Sequence, residues 1–390
     1  MKVAFIHDHV FYQDKEDVFS RGGLPYNVLK RYTDIFENLI VMGRREQIID
    51  SKSNKLVLSS GERIDFKLHN TYKTPIQLVT EYNAVKEPIT EVIKEVDACI
   101  IRLPSALGIL AVRECIKQDK PWMIEVVGCA WDALWHYGNL KGKILAPIMY
   151  MFNKYYIEKA RYAIYVSQNF LQKRYPSKGT TINASNVNIQ SVNEEVLIKR
   201  LKRIEDNIVQ IVNLGIVGSL DVEYKGHRSA IYAVSELKKQ GYKVKLKCLG
   251  SGEKEKWEQL CVALNVEKEI EFNGILPAGQ HVLDWMDDID ILLIPSLTEG
   301  LPRALIEAMS RGCPAIGSSV GGIPELLDEK VLFKPKKYKE LTNCIKILID
   351  DERLLKKQSK KNFETAKEYY SEVIDDRRKR LLTKFKDSVE

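Results

Sequence analysis

Short runs of apolar, mostly β-branched residues alternate along the chain with longer segments in which apolar residues recur every three or four positions. The first kind suits parallel strands buried on both faces, and the second suits the helices that cover them. In the first half the pattern predicts strands at residues 2–6, 39–42, 55–58, 64–68, 97–103, 122–127 and 162–166. Helices are expected at 24–36, where Leu24, Val28, Leu29, Tyr32, Ile35 and Phe36 share a face, at 76–93, at 144–160, and at 168–174 behind an N-cap at Ser167. Residues 178–206 are polar, with Asn183, Asn186, Asn188 and Asn193, and then charged; an interdomain linker is expected there. The alternation then restarts, with strands at 208–214, 243–249, 270–272 and 289–294 and helices at 303–311, 338–350, 352–369 and 372–385. Two such units predict an α/β protein of two doubly wound parallel sheets, spanning residues 1–185 and 207–365, with 366–390 as a terminal helix. A length of 390 residues agrees, because single cores stop growing near ~250 to 300.

Composition narrows the class. With 45% apolar and 29% charged residues the chain has the make-up of a soluble globular protein. No apolar run approaches the ~20 residues that span a bilayer, and Met1 leads straight into a strand pattern rather than a signal region. The seven cysteines follow neither metal-ligand nor disulfide spacing, so free thiols in a reducing cytoplasm are expected. Charge is uneven: residues 1–190 hold 26 Lys+Arg against 20 Asp+Glu, while 191–390 hold 34 against 33. No nucleic-acid motif accompanies the basic half. An anionic membrane surface, or solubility alone, accounts for it.

Candidate chemistry concentrates after the apolar run 289–294. Pro295 ends that run where open α/β sheets place their ligands, at the carboxyl end of a strand. Glu299, Gly300 and Leu301 follow, then Pro302 at an expected first helical position, with Arg303 opening a helix on which Leu305, Ile306 and Met309 face inward. Glu299 and Glu307 stand eight positions apart; on one helix they would share a side about 12 Å apart, too far to share a proton but suited to gripping two parts of one long ligand. Gly312, Cys313 and Pro314 come next, then Gly321, Gly322, Ile323, Pro324 and Glu325.

This string resembles glycosyltransferase family 4, retaining enzymes of the GT-B fold, whose signature is E-G-[FL]-[GP]-x-x-x-x-E-A-M followed by G-x-P and G-G-x-P-E. The resemblance implies two Rossmann-like domains facing a cleft, a nucleotide-diphosphate sugar as donor substrate, no cofactor and no metal. It further implies that Glu299 holds the donor sugar beside the backbone of Gly300 and Leu301. Glu307 then accepts from the ribose, and Lys225, in the turn Gly215 to His227, stabilises the departing diphosphate. Gly218 and Ser219 line that turn, Ile275 marks the nucleobase contact, and Gly22 and Gly23 form the glycine-rich loop after the first strand. That glycine pair reads equally as a ligand approach or a tight turn. Acceptors in this family are saccharides or lipid-linked saccharides, which points to cell-surface polysaccharide biosynthesis.

Two positions depart from the family. Ser219 stands where arginine is usual, with Arg228 or Arg303 as substitutes, and Val127 where histidine is usual. These departures keep a non-catalytic sugar-nucleotide binder in view, beside a GT-B sugar-nucleotide epimerase. His7, Asp8 and His9 close the first strand at the cleft edge. Trp131, Trp135, His136, Tyr137, Lys141 and Lys143 suit an acceptor groove, a membrane interface or plain loop packing. The basic run Arg377, Arg378, Lys379, Arg380 reads as a solvated helix face.

Overall fold

The computed structural model describes residues 1–47, 56–70, 81–136, 140–206 and 211–390. Nine strands make the first sheet: β1 (Lys2–Asp14), β2 (Asp17–Ser20), β3 (Asn38–Gln47), β4 (Val57–Leu58), β5 (Ile64–Asn70), β6 (Ala98–Leu103), β7 (Trp122–Val126), β8 (Tyr162–Tyr165) and β9 (Thr180–Asn183). Seven of them run parallel in the order β5-β3-β1-β6-β7-β8-β9; β2 pairs antiparallel with the far end of β1, and β4 antiparallel with β2. Helices α1 (Tyr26–Thr33), α2 (Tyr82–Glu95), α3 (Ala106–Lys117), α4 (Ala130–Trp135), α5 (Leu140–Lys159) and α6 (Phe170–Arg174) accompany this sheet. Every residue of β6 is buried, as suits a central parallel strand, and that includes Arg102, which interrupts its apolar run. The guanidinium is satisfied there by Glu125 at 2.7 and 3.0 Å, and Glu125 also accepts from the Tyr32 hydroxyl at 2.7 Å. A buried charge persists only with such partners.

The first strand is longer than its apolar run predicts. It continues to Asp14, and the register against β3 slips between Ile6 and Val10, so His7, Asp8 and His9 lie in an irregularity within the strand and not at its end. Helix α1 is shorter than the expected 24–36, with Pro25 at its N-cap and Asp34 already at its C-cap. Of the helix expected at 76–93, residues 76–80 lie outside the described residues, as do residue 55 of the strand expected at 55–58, residues 208–210 of the strand expected at 208–214, and Tyr137 of the aromatic cluster.

After α7 (Glu194–Asp206), the second sheet comprises β10 (Val212–Val217), β11 (Val244–Leu249), β12 (Ile270–Gly274), β13 (Ile291–Ile294), β14 (Ala315–Ser318) and β15 (Leu332–Phe333), all parallel in the order β12-β11-β10-β13-β14-β15. Its helices are α8 (His227–Lys239), α9 (Glu255–Leu264), α10 (Gln280–Asp287), α11 (Arg303–Ser310), α12 (Tyr338–Asp350) and α13 (Glu352–Lys367). Within the polar stretch 178–206, Thr180–Asn183 is the edge strand β9 of the first sheet. Helix α7 is tied to the second: Arg200, buried, donates to the carbonyls of Met286 at 2.9 Å and Arg311 at 3.3 Å, and Arg203 pairs with Asp290 at 2.8 Å.

Helix α14 (Ser371–Asp387) returns to the first sheet. The Ser371 N–H donates to the Ile189 carbonyl at 2.8 Å, and Phe385 packs on Tyr162 with ring centroids 5.6 Å apart. The solvated-face reading of residues 377–380 fails at Arg378. That side chain is 3% exposed and donates to the carbonyls of Ala184 and Ser185 at 3.2 and 3.1 Å, because its face of the helix is the one laid against the chain crossing between the sheets.

Candidate functional site

In the second sheet the strand order reverses between β10 and β13. Chains leaving those two strands turn to opposite sides and open a crevice at their carboxyl ends. The loop after β10 carries Lys225 into this crevice and the loop after β13 carries Glu299. Their side chains meet, Lys225 Nζ standing 2.7 Å from Glu299 Oε1, with the lysine 25% and the glutamate 13% exposed. The Ser296 hydroxyl donates to the same oxygen at 2.8 Å, and Ser318 in turn donates to the Ser296 carbonyl. A cation and an anion are thus fixed at the floor of a crevice that still reaches solvent.

Glycines set this geometry. A Cβ on Gly218 would stand 2.8 Å from Lys225 Cγ, so the absent side chain is the shelf on which the lysine lies. Gly226 adopts φ +82°, and a Cβ there would come within 2.0 Å of the Pro295 carbonyl, so only glycine lets the two loops touch. On the far side, a Cβ on Gly321 would meet the Glu299 carbonyl at 1.8 Å, and the Gly322 N–H donates to the Gly300 carbonyl at 3.0 Å. The glycine pair of the second motif therefore braces the loop of the first. Gly300 itself faces the first sheet, where a Cβ would stand 2.9 Å from the Val127 carbonyl.

Glu299 does not share a helix with Glu307. Pro302 is the N-cap of α11 rather than its first helical residue; Glu299 lies on the loop before it, as expected, and turns to Lys225 while Glu307 rides the helix. Burial raises the Glu307 carboxyl above its usual range, and the charge of exposed Arg303 opposes the shift. Leu301 is buried beside Gly322, and Ile275 is exposed just past the end of β12. Ser219 is engaged within its own turn, where its hydroxyl accepts from the Asp221 N–H at 3.3 Å. Arg228 turns to Glu223 at 3.5 Å and to the Trp257 ring.

Gly22 and Gly23 belong to the first domain. Gly22 has φ +79°, and a Cβ on Gly23 would collide with the His9 ring at 2.7 Å. Burial, with Arg102 and Arg44 nearby, holds His9 down to about 4, and His7 is lowered by the same causes, so both imidazoles are neutral at physiological pH. Trp131 and Trp135 are not on an open loop: they stack on each other in α4 at 5.3 Å, and Trp131 meets Tyr150 edge-on. Three contacts around the candidate site escape sequence reading. Ser296 supports Glu299, His227 is fully buried behind Lys225, and Glu325 accepts the N–H groups of Gln168 at 2.7 Å, Asn169 at 3.0 Å and Phe170. The N-cap expected at Ser167 is Asn169 instead, because the helix begins only at Phe170; Asn169 makes no side-chain cap, and the N–H groups at the start of α6 are met by the Ser167 hydroxyl, which accepts from Leu171 at 2.9 Å, and by a carboxylate from the other domain.

The family described as "Glycosyl transferases group 1" matches residues 212–351 of this chain, the segment that contains both loops. Protein CapJ of Staphylococcus aureus is 33% identical over 387 residues, covering 99% of this chain and 96% of its own. A putative colanic acid biosynthesis glycosyltransferase, WcaL of Salmonella typhimurium, is 38% identical over 116 residues, 27% of this chain and 28% of its own. Among solved structures, sucrose-phosphate synthase from Thermosynechococcus elongatus superposes with a TM-score of 0.73 at 16% identity over the whole of both chains. Anabaena Alr3699/HepE in complex with UDP does so with a TM-score of 0.68 at 16% identity, over 98% of this chain and 100% of its own. With two parallel sheets of the GT-B kind and a full-length relative at this identity, the chain belongs to the group 1 glycosyltransferases.

Proposed function

We propose that the protein is a retaining, metal-independent glycosyltransferase that moves a sugar from a nucleoside diphosphate donor to a saccharide or lipid-linked acceptor in cell-surface polysaccharide assembly. The observation that carries this reading is the Lys225–Glu299 pair at the switch point of the second sheet. Bound donor exchanges the pair for two stronger engagements. The ammonium turns to the diphosphate, where negative charge grows as the glycosidic bond breaks, and the freed carboxylate accepts from sugar hydroxyls. Glu307, one helix turn inside α11, accepts from the ribose. The backbone beyond β12 at Ile275 holds the base, and Gly22 and Gly23 let the first domain close on the phosphates. The acceptor oxygen attacks the anomeric carbon from the face the diphosphate leaves, and a departing phosphate oxygen takes its proton. No protein nucleophile enters this scheme.

The named relative WcaL and the UDP complex of HepE support this choice of pathway and of donor class. The uneven charge supports work at the cytoplasmic face of a membrane as a peripheral protein. The test is a thermal-shift panel of nucleotide sugars followed by assay of diphosphate release. One donor class raises the melting temperature, since a ligand that binds only the folded state stabilises it. That donor then yields diphosphate and a glycosylated product only when acceptor is added. Stabilisation without acceptor-dependent release would make the protein a sugar-nucleotide binder instead.

A further inference from the structure

Helix α5 is apolar on two sides. Its buried side carries Ala146, Asn153, Tyr156 and Ile157. On the opposite side Leu140, Ile144, Ile148, Met151, Phe152 and Tyr155 are each between 44% and 73% exposed. At 100° per residue these six fall within an arc of about 120°, and from first to last they cover about 22 Å of helix axis. A surface helix of a globular protein ordinarily presents polar residues on that side, and a contiguous apolar stripe on the surface marks a contact.

The charge around the stripe tells what covers it. Lys141 and Lys159 stand at its two ends, Lys143 and Lys154 lie along one edge, and all four are exposed. Lys143 also sits over the exposed Trp135 ring, 5.9 Å from its centroid. Residues 121–190 hold eight Lys+Arg and three acids, so this segment supplies most of the positive excess of the first half. None of the three acids offsets the lysines. Glu125 is buried against Arg102, Asp132 faces Arg174 at 3.4 Å, and Glu158 pairs with Lys178 at 2.7 Å. Among the described residues no helix is long and apolar enough to cross a membrane, so this one can lie in a bilayer interface but not span it.

Resting on the glycosyltransferase reading above, we propose that the Leu140 to Tyr155 face of α5 is the surface that docks the protein on an anionic lipid bilayer. The six apolar side chains enter the boundary of headgroups and acyl chains, the lysine stems follow them, and the ammonium groups meet the headgroup phosphates. Docking through α5 holds the first domain, whose Val127 carbonyl faces Gly300 across the crevice, at the lipid surface. A lipid-linked acceptor is then presented without leaving its membrane.

The experiment measures binding of the full-length protein to vesicles of phosphatidylglycerol mixed with phosphatidylcholine, and to phosphatidylcholine alone. Transfer to a soluble saccharide acceptor and sedimentation velocity are measured in parallel. Wild type binds the anionic vesicles at low salt, and binding falls as salt rises. Replacing Lys141, Lys143 and Lys154 by Gln lowers the partition coefficient about fivefold per residue, as expected for basic groups beside an anionic surface. Ile144→Gln with Met151→Gln lowers it at every salt concentration. The Ile144 and Met151 changes are on exposed positions outside the candidate site and leave the fold and soluble transfer unchanged. Wild type that ignores anionic vesicles at low salt, or an Ile144/Met151 variant that binds as wild type does, overturns the proposal. So does a wild-type dimer that these two changes convert to monomer without altering vesicle binding, because the stripe would then join two copies of the chain. Soluble transfer that persists while vesicle binding fails removes the docking surface alone. Vesicle binding without transfer from any nucleotide sugar removes the enzymatic reading and leaves the surface.

Discussion

Gly218→Ala isolates the placement of Lys225. The new methyl carbon would lie 2.8 Å from Lys225 Cγ and 3.1 Å from both Cβ and Cδ. Carbon atoms settle at about 3.5 to 4.0 Å, so the lysine stem must retreat by roughly 1 Å. Its ammonium stands 2.7 Å from Glu299, and a retreat of that size takes it beyond hydrogen-bond range. Gly218 does not use a left-handed φ, so alanine fits the backbone, and the restricted unfolded chain returns about 0.4 to 1 kcal/mol of stability. That gain offsets much of the weakened ion pair. The expected result is a urea midpoint near that of wild type with kcat/KM down about 30- to 100-fold, the cost of a 1 Å displacement of a charge-stabilising group. Adding Lys225→Ala to this variant should lower kcat/KM by less than it does in wild type, since both changes remove one contact. Transfer within threefold of wild type, or losses that simply add, would refute the idea that the Gly218 shelf positions the lysine for catalysis.

Glu307→Ala should weaken nucleoside diphosphate binding by about 1 to 3 kcal/mol, measured by calorimetry, with the urea midpoint preserved. Because burial raises the Glu307 carboxyl, wild-type affinity should begin to fall on acidification at a higher pH than an ordinary glutamate would produce, and Glu307→Gln should remove that component. His227 is buried, and burial lowers it from 6.5 to about 4. The unfolded chain therefore binds the extra proton first, so stability present above pH 6.5 is lost as pH falls toward 4, by roughly 3 kcal/mol for this one residue. Denaturation of His227→Leu at pH 7 and 4.5 should show a correspondingly smaller acid loss; an equal loss would place the sensitivity elsewhere. Glu325→Ala removes the acceptor for three N–H groups of the other domain, and should loosen the two domains by about 1 to 3 kcal/mol, seen as a larger radius of gyration and faster proteolysis between residues 184 and 193. Unchanged scattering and cleavage would mean that Glu325 caps α6 without holding the domains together.

The two-sheet architecture was legible because buried parallel strands leave an unmistakable trace, apolar runs such as 98–101 and 291–294 whose side chains are buried on both faces. The Glu299 and Glu307 string was legible because its glycines answer to backbone contacts, as the Gly321 approach to the Glu299 carbonyl makes plain. What escaped is long-range. Pro302 already placed Glu299 on the loop before the helix, but nothing local says that its carboxylate turns to a lysine 74 positions away. Arg378 read as solvated because a charge run on a helix usually is, whereas the return of α14 onto the first sheet buries one face of that run. The aromatic cluster at Trp131 drew attention to α4, whereas the exposed apolar stripe lies on the next helix. There the apolar residues on both sides flatten the periodicity that would have separated inside from outside.

The central claim, that the switch point between β10 and β13 is the donor site, is tested most directly by a crystal structure with a nucleoside diphosphate bound. The account predicts the diphosphate between the Gly218 to Lys225 turn and the loop at Glu299, Lys225 Nζ turned from Glu299 to a phosphate oxygen, and the ribose hydroxyls on Glu307. A diphosphate seated elsewhere, with Lys225 still paired to Glu299, would contradict it.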